Sequence, residues 1–299
     1  MIRTDELTTF ETLRPRLLRI AYRMLGSLAE AEDVAQDAWL RWSKAGREDV
    51  HNPMAFLTRT VTRLCLDRMK SARARRESYV GSWLPEPLIE FAGPADDEPE
   101  DVTLTLMMAL ERLSPLERAA FLLHDVFDLP FEEIGQAIGR DPAACRQLAS
   151  RARSHVRSQR PRYPVSDEEG EAIAHAFFKA SASGDVGQLQ ALLAENVVVY
   201  SDGGGKTKTH TNPVYGRDRV VRMLAGLAKK PWGQTPRWVQ SARIDGLPGY
   251  IAYDQWGNLQ TMALVIEDGR TVACYTVRNP DKLVHVERMI DGPSTADVH

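Results

Sequence analysis

Cysteine is scarce in this chain: Cys65, Cys145 and Cys274 are odd in number and far apart over 299 residues. That usage excludes a disulfide framework and a zinc knuckle, and it fits a reducing compartment, the cytoplasm. Long apolar runs are missing as well. No stretch reaches the ~20 residues that cross a bilayer, and the opening MIRTDELTTFETLRPR lacks the apolar core of a signal peptide. No membrane role is expected. The seven histidines show no metal-ligand spacing. An excess of positive charge is also lacking, since the net charge is -3, which argues against a wholly basic nucleic-acid binder. The charge is segregated, however. Residues 56–76 and 142–162 are basic, whereas 27–37 and 95–101 are acidic, and local patches rather than the total steer a protein towards phosphates.

The basic patch in 128–160 has the pattern of two short helices and a tight turn. Pro130 with Glu132 and Glu133 suits a helix start, where proline and acids are favoured. Gly139 can adopt the left-handed geometry that ends a helix, and Asp141-Pro142 supplies the next N-cap. In the second helix Cys145, Leu148 and Ala152 form a buried stripe, while Arg146, Gln147, Ser150, Arg151 and Arg153 occupy the other side. A helix-turn-helix whose second helix is one-sidedly basic is built for a DNA major groove; the bland alternative is a solvated helical hairpin.

Three more helices are predicted upstream, over residues 5–24, 28–45 and 53–75. The second shows Glu30, Glu32, Asp33, Gln36 and Asp37 outward, either a solvated face or a docking surface for a basic partner helix. The third carries Arg59, Arg63, Arg68, Lys70 and Arg73 beside the hydroxyls of Thr58, Thr60 and Thr62, a combination suited to phosphates and unpaired bases. Residues 78–99 are a linker by their prolines and glycines, yet Tyr79, Trp83, Leu84, Leu88, Ile89 and Phe91 are too apolar for a free tether and should bury against a neighbouring surface. Helices over 102–113 and 115–127 lead into the helix-turn-helix. Beyond residue 164 the texture changes to helices over 168–181, 186–193 and 216–228. Strands are expected over 196–201, 237–244, 250–254, 259–267, 271–278 and 283–290, giving an α+β domain with an antiparallel run. Gly203-Gly204-Gly205-Lys206-Thr207 suggests a phosphate loop but fails on spacing, because Tyr200 stands where a Walker glycine is required. The loop glycines are expected to admit another backbone, with Lys206 meeting an acid.

Three motifs in order, GSLAEAEDVAQDAWLRW (26–42), NPMAFLTRTVTRLCLDRMKSARARR (52–76) and LSPLERAAFLLHDVFDLPFEEIGQAIGRDPAACRQLASRAR (113–153), resemble a bacterial sigma factor of the sigma-70 family, extracytoplasmic-function type. The C-terminal part resembles a SnoaL-like domain, a cone-shaped fold of the nuclear-transport-factor type. Trp83-Leu84-Pro85-Glu86-Pro87, Asp202-Gly203-Gly204-Gly205-Lys206 and Asn279-Pro280-Asp281-Lys282-Leu283 resemble the signatures of the subgroup in which that domain is fused. The fold class implied is multidomain: all-α sigma domains 2 (1–77) and 4 (100–162), joined by the linker 78–99 and followed by an α+β cone domain (167–291).

The resemblance implies a promoter-specific initiation factor, not an enzyme, with no cofactor, metal or catalytic residue. The acidic helix face would dock on the β′ clamp helices of core RNA polymerase. The basic third helix would engage the -10 element. Arg146, Gln147 and Ser150 would read base edges of the -35 element, with Arg151 and Arg153 on phosphates. Trp83, Leu84, Pro85, Asp202, Gly203, Gly204, Lys206, Asn279, Asp281 and Lys282 become candidates for contact between the third domain and the sigma domains or linker, and no separate anti-sigma factor is required. Asp202, His210 and Asp254 are the polar candidates for a pocket. The alternative is a SnoaL-like enzyme or small-molecule sensor carried on a DNA-binding module.

Overall fold

The computed structural model describes residues 4–45, 52–77, 79–90, 103–156, 165–230 and 235–291. The chain divides into two compact units, Met1–Ser78 with Thr105–Arg160 and Tyr79–Leu104 with Pro161–His299.

The first unit is helical: α1 (Thr4–Leu25), α2 (Leu28–Trp42), α3 (Pro53–Glu77), α4 (Leu104–Leu110), α5 (Pro115–Phe121), α6 (Phe131–Ile138) and α7 (Pro142–Val156), with α4 beginning at the boundary residue Leu104. Helix starts follow from local chemistry. Ser27 caps α2 by accepting from the Glu30 amide at 3.2 Å, and Ser114 with Glu117 forms a reciprocal capping box on α5. Leu17, Ile20, Met24, Val34, Leu57, Val61 and Leu110 are buried and carry the packing. Two charges, Arg23 and Arg118, share that interior. Arg118, on α5, is 1% exposed; its guanidinium donates to the Arg23 carbonyl at 2.8 and 3.0 Å and pairs with Glu111. Paired burial of this kind costs far less than an isolated charge.

The predicted helix over 115–127 is instead α5 followed by a π-helical turn, Leu122–Val126. Asp128 in the left-handed region (φ 55°) reverses the chain, and the Leu129 amide returns to the Leu123 carbonyl at 2.8 Å. The helix expected over 102–113 is shorter, ending at Leu110, because Ser114 needs extended backbone to cap α5.

The second unit holds α8 (Asp167–Ser183), α9 (Val186–Leu192), α10 (Arg217–Ala228) and α11 (Val284–Asp291) with seven strands: β1 (Ile89–Glu90), β2 (Leu193–Asp202), β3 (Val214–Tyr215), β4 (Arg237–Ile244), β5 (Leu247–Tyr253), β6 (Leu259–Glu267) and β7 (Arg270–Val277). They form one sheet in the order β1-β4-β5-β6-β7-β2-β3. Phe177, Leu189, Val197, Val220, Tyr250 and Leu264 bury the helices on the sheet.

Two expectations are corrected here. The sheet is mixed, because β2 and β7 run parallel, with Val199 opposite Cys274. Residues 283–290 are not a strand: Asn279 caps a 3-10 turn, Pro280–Lys282, that continues into α11. Leu283 and Val286 are buried, and their spacing of three satisfies a helix as well as the apparent alternation satisfies a strand. The loop at 279–282 is therefore a helix entry.

Candidate functional site

The helix-turn-helix is built as its residues require. Gly139 ends α6 at φ 69°, and the Asp141 carboxylate accepts from the Ala144 amide at 2.8 Å to start α7. Gly135 is needed for a different reason: a Cβ there would lie 2.5 Å from the Arg140 carbonyl oxygen. On α7 Cys145, Leu148, Ala149 and Ala152 are buried, which leaves Arg146, Gln147, Ser150 and Arg151 exposed on one side. Arg146 lies over the Phe131 ring at 5.8 Å. Arg151 and Arg153 already hold partners, Glu117 at 2.9 Å and Asp125 at 2.6 Å.

The basic face of α3 is similarly engaged. Arg63 donates to the Gln136 carbonyl at 2.9 Å and the Ala137 carbonyl at 3.3 Å, capping the C-terminal end of α6. Arg68 pairs with Asp33 at 3.2 Å and Asp37 at 3.1 Å, so the acidic face of α2 and the basic face of α3 meet. Arg59 lies 5.9 Å over the Phe56 ring, and exposed Lys70 pairs with Asp67. The side chain of Arg73 lies outside the described residues. On α2, Glu32 pairs with Arg14, Gln36 is exposed and Glu30 is half-buried. The hydroxyls of Thr58, Thr60 and Thr62 are buried; those of Thr60 and Thr62 donate to carbonyls one turn back on α3. The Thr60 and Thr62 bonds are helix back-bonds and the Thr58 hydroxyl meets the Met54 sulfur, which corrects their reading as phosphate ligands.

In the second unit the linker and two loops converge on one carboxylate. Asp202 closes β2 and is fully buried. Its Oδ1 accepts from the Tyr79 hydroxyl at 2.6 Å and the Gly204 amide at 3.1 Å. Its Oδ2 accepts from the Leu84 amide at 2.9 Å and the Lys282 ammonium at 2.7 Å. Lys282 also donates to the Leu84 carbonyl and sits over the rings of Trp83 (4.2 Å) and Tyr79 (5.1 Å). Asn279 donates to the Tyr79 oxygen at 2.8 Å. Burial, with the Asp202 carboxylate beside it, pushes the Tyr79 phenol up and keeps it a donor. Gly204, at φ 60°, has no room for a Cβ beside the Asn279 amide. Lys206 meets Asp281 at 2.7 Å in the open. Gly203 is tight for another reason, since a Cβ there would stand 2.5 Å from the Thr207 carbonyl oxygen.

The linker continues along the same domain. Leu84 is wholly buried, Pro85 and Pro87 are buried, and His285 meets the Pro87 carbonyl at 2.7 Å. The Leu88 amide donates to the Asp245 carboxylate, the Asp245 amide returns to the Leu88 carbonyl at 2.9 Å, and β1 extends the sheet beside β4. Trp83, Leu84, Pro85, Asp202, Gly204, Asn279 and Lys282 are thus brought together. Phe91 lies outside the described residues. Asp245 and His285 were not flagged from sequence; His285 sat in a segment taken for a strand.

A cavity of 510 Å³ opens in the same domain, lined by His210, Asp254, Trp256 and Arg278 among others. Arg278 pairs with Asp254, and burial pulls its guanidinium down to about 10. His210 Nδ1 meets the Asn212 carbonyl at 2.9 Å, and burial lowers its basicity, with the Arg278 charge adding to the effect. Asp202, one of the expected pocket residues, faces the linker instead. No group of residues able to hold a metal is found among the described residues, and none of their helices is long and apolar enough to cross a membrane.

Comparison with known proteins accounts for this architecture. The Sigma-70 region 2 family matches residues 9–75 and the Sigma-70 region 4 family matches residues 103–156. The ECF RNA polymerase sigma factor SigJ of Mycobacterium tuberculosis is 38% identical over 292 residues, 93% of each chain. The probable ECF RNA polymerase sigma factor SigI of the same species is 30% identical over 93% of this chain and 95% of its own. The crystal structure of SigJ superposes with a TM-score of 0.73 at 34% identity, covering 93% of this chain and 98% of that one. The chain belongs to the extracytoplasmic-function family of RNA polymerase sigma factors, with helical sigma domains followed by a mixed-sheet domain.

Proposed function

We propose that this sigma factor is governed by its own third domain, which grips the segment joining the two DNA-binding domains. The observation that carries the reading is Asp202: a fully buried carboxylate whose donors come from the linker (Tyr79, Leu84) and from two loops of the domain (Gly204, Lys282). A buried carboxylate with four donors specifies one geometry, because any other leaves charge unpaired in the interior. Held in this way, residues 79–90 set how far regions 2 and 4 can separate on a promoter, without a separate anti-sigma factor and without catalysis.

For the DNA-binding half, the acidic face of α2 (Glu30, Glu32, Asp33, Gln36, Asp37) docks on the β′ clamp helices of core RNA polymerase. Arg59, Arg63, Arg68, Lys70 and Arg73 serve the -10 element. Arg146, Gln147 and Ser150 read the -35 element, with Arg151 and Arg153 on flanking phosphates. Exposure of the first three beside a buried stripe supports that division. Arg63, Arg68, Arg151 and Arg153 exchange internal acceptors for phosphate or polymerase on engagement, a shift in population towards the bound arrangement. Run-off transcription with core polymerase on a library of genomic promoter fragments tests the grip. Asp202→Asn is expected to change promoter output at least threefold relative to wild type. Unchanged output, with faster amide exchange at Leu84 showing that the linker was released, sinks the proposal.

A further inference from the structure

The π-helical turn and the left-handed residue that follows it have no part in the linker grip, yet they lie beside the helix-turn-helix. Over Leu122–Val126 the hydrogen-bond ladder is widened, a rare form that recurs at functional positions. Asp128 then reverses the chain at φ 55°, a conformation that glycine adopts freely and aspartate at some cost. Both backbone groups of the next residue hold the reversal. The Leu129 amide donates to the Leu123 carbonyl at 2.8 Å, and the Leu129 carbonyl meets His124 Nδ1 at 3.0 Å. A carbonyl only accepts, so that contact puts the imidazole proton on Nδ1 and fixes the ring.

The fixed imidazole lies against an aromatic. The rings of His124 and Phe131 have centroids 4.0 Å apart and planes 33° from parallel. Phe131 opens α6 directly after Pro130, whose carbonyl accepts from the Glu133 and Ile134 amides at 3.1 Å, so its backbone is held by the helix start. The guanidinium of Arg146, the first basic residue of α7, lies 5.8 Å over the Phe131 ring.

Arg63, Arg68, Arg151 and Arg153 each hold an oxygen acceptor. Among the described residues the Arg146 guanidinium has the ring and no hydrogen-bond acceptor. Stacking on a ring face keeps a guanidinium in one plane and leaves its N–H edge open, and that edge pairs bidentately with guanine O6 and N7. An arginine already laid on a ring also loses less rotamer freedom when it docks on a base.

We propose that Phe131 is a positioning residue for base readout: stacked on His124, it pre-sets the Arg146 guanidinium, so that discrimination at one -35 base pair depends on a residue that makes no base contact itself. The proposal rests on the reading of Arg146 given above. It gives the π-helical turn and left-handed Asp128 a purpose, which is to hold His124 against Phe131.

The test uses holoenzyme assembled from core RNA polymerase and the full-length chain, with competing promoter templates that carry every single-base change of the -35 element. Arg146→Ala marks the position that Arg146 reads, where the base preference collapses. At that position Phe131→Leu, which keeps apolar bulk but removes the ring face, should lower discrimination about two- to fivefold, the range of an exposed cation–π contact, and leave preferences elsewhere unchanged. Phe131→Met serves the same comparison if the leucine variant does not melt cooperatively. Phe131→Tyr, which keeps the ring, should retain discrimination. Placed on Arg146→Ala, Phe131→Leu should cause no further loss, because the side chain it positions is gone. His124→Leu should also lower discrimination at that position. Unchanged discrimination in Phe131→Leu, an equal loss at every position, the same loss in Phe131→Tyr, or a further loss on Arg146→Ala overturns the role of Phe131. Unchanged discrimination in His124→Leu overturns the part given to the π-helical turn. If Arg146→Ala itself alters no preference, the base-reading role of Arg146 falls and the positioning role with it; if only the Phe131 variants are silent, the positioning role alone falls.

Discussion

The charges on which the reading of each unit rests are placed differently. In the helical unit the pairs Arg68–Asp33, Arg68–Asp37 and Arg151–Glu117 lie at the surface, with Arg68 27% and Asp33 66% exposed and Arg151 56% exposed. In the third domain Asp202 and Lys282 are 0% and 9% exposed. Surface pairs contribute ~0–1 kcal/mol and are readily exchanged for phosphate, whereas removing one partner of a buried pair costs about 3–5 kcal/mol. The first arrangement suits residues that must change partners, the second a contact that must not slip. Arg118, buried against the Arg23 carbonyl, shows that the helical unit also uses burial where a charge has a purely architectural place.

The largest effect expected from breaking this contrast is at the buried pair. Asp202→Asn should lower the stability of the third domain by about 3–5 kcal/mol, read as a loss in melting temperature, because Lys282 keeps its charge without a counter-ion. Arg146→Ala on α7 should weaken selectivity at one position of the -35 element by about 1–3 kcal/mol, measured by competition between promoter variants, while leaving the melting temperature within error.

A pH effect comes next. Burial lowers the basicity of His210 below its ordinary 6.5, so in the folded chain the imidazole resists protonation. As pH falls from 6.5 towards the lower folded value, the unfolded chain takes up the proton first and stability is lost; above 6.5 the effect vanishes. Melts at pH 7.5 and 5 should show a larger drop for wild type than for His210→Gln. The smallest effect is Arg68→Ala, expected within ~1 kcal/mol of wild type in stability because its acids remain solvated. A larger loss there would mean that the surface pairs are architectural after all, and would blur the distinction between the units.

Much of the DNA-binding half was legible in the chain. Helix starts at Ser27, Ser114 and Asp141, the stop at Gly139 and the apolar stripe of α7 are local signals, and the structure places them at those positions. The π-helical turn after Phe121 was not legible, because the left-handed Asp128 that reverses the chain has no distinctive sequence mark. Residues 283–290 were misread for a related reason: eight residues whose apolar positions fit both periods need the preceding Asn279-Pro280 turn, seen in place, to decide between them. The linker motif and both loops were visible as candidates, but their common focus on Asp202 was not. That convergence brings together residues such as Tyr79 and Asn279, 200 positions apart.

By itself, the sequence determined the family, the order of the domains, the helix-turn-helix and the apolar character of the linker, since each rests on spacing and composition within a few turns of chain. Tertiary structure alone decided which arginines already hold acceptors, that β2 and β7 run parallel, that the linker belongs to the third domain, and that Arg278 faces a cavity while its backbone holds Asp202. Those outcomes depend on burial and on partners distant in sequence, and the energy of a charge is set by such surroundings rather than by its neighbours along the chain.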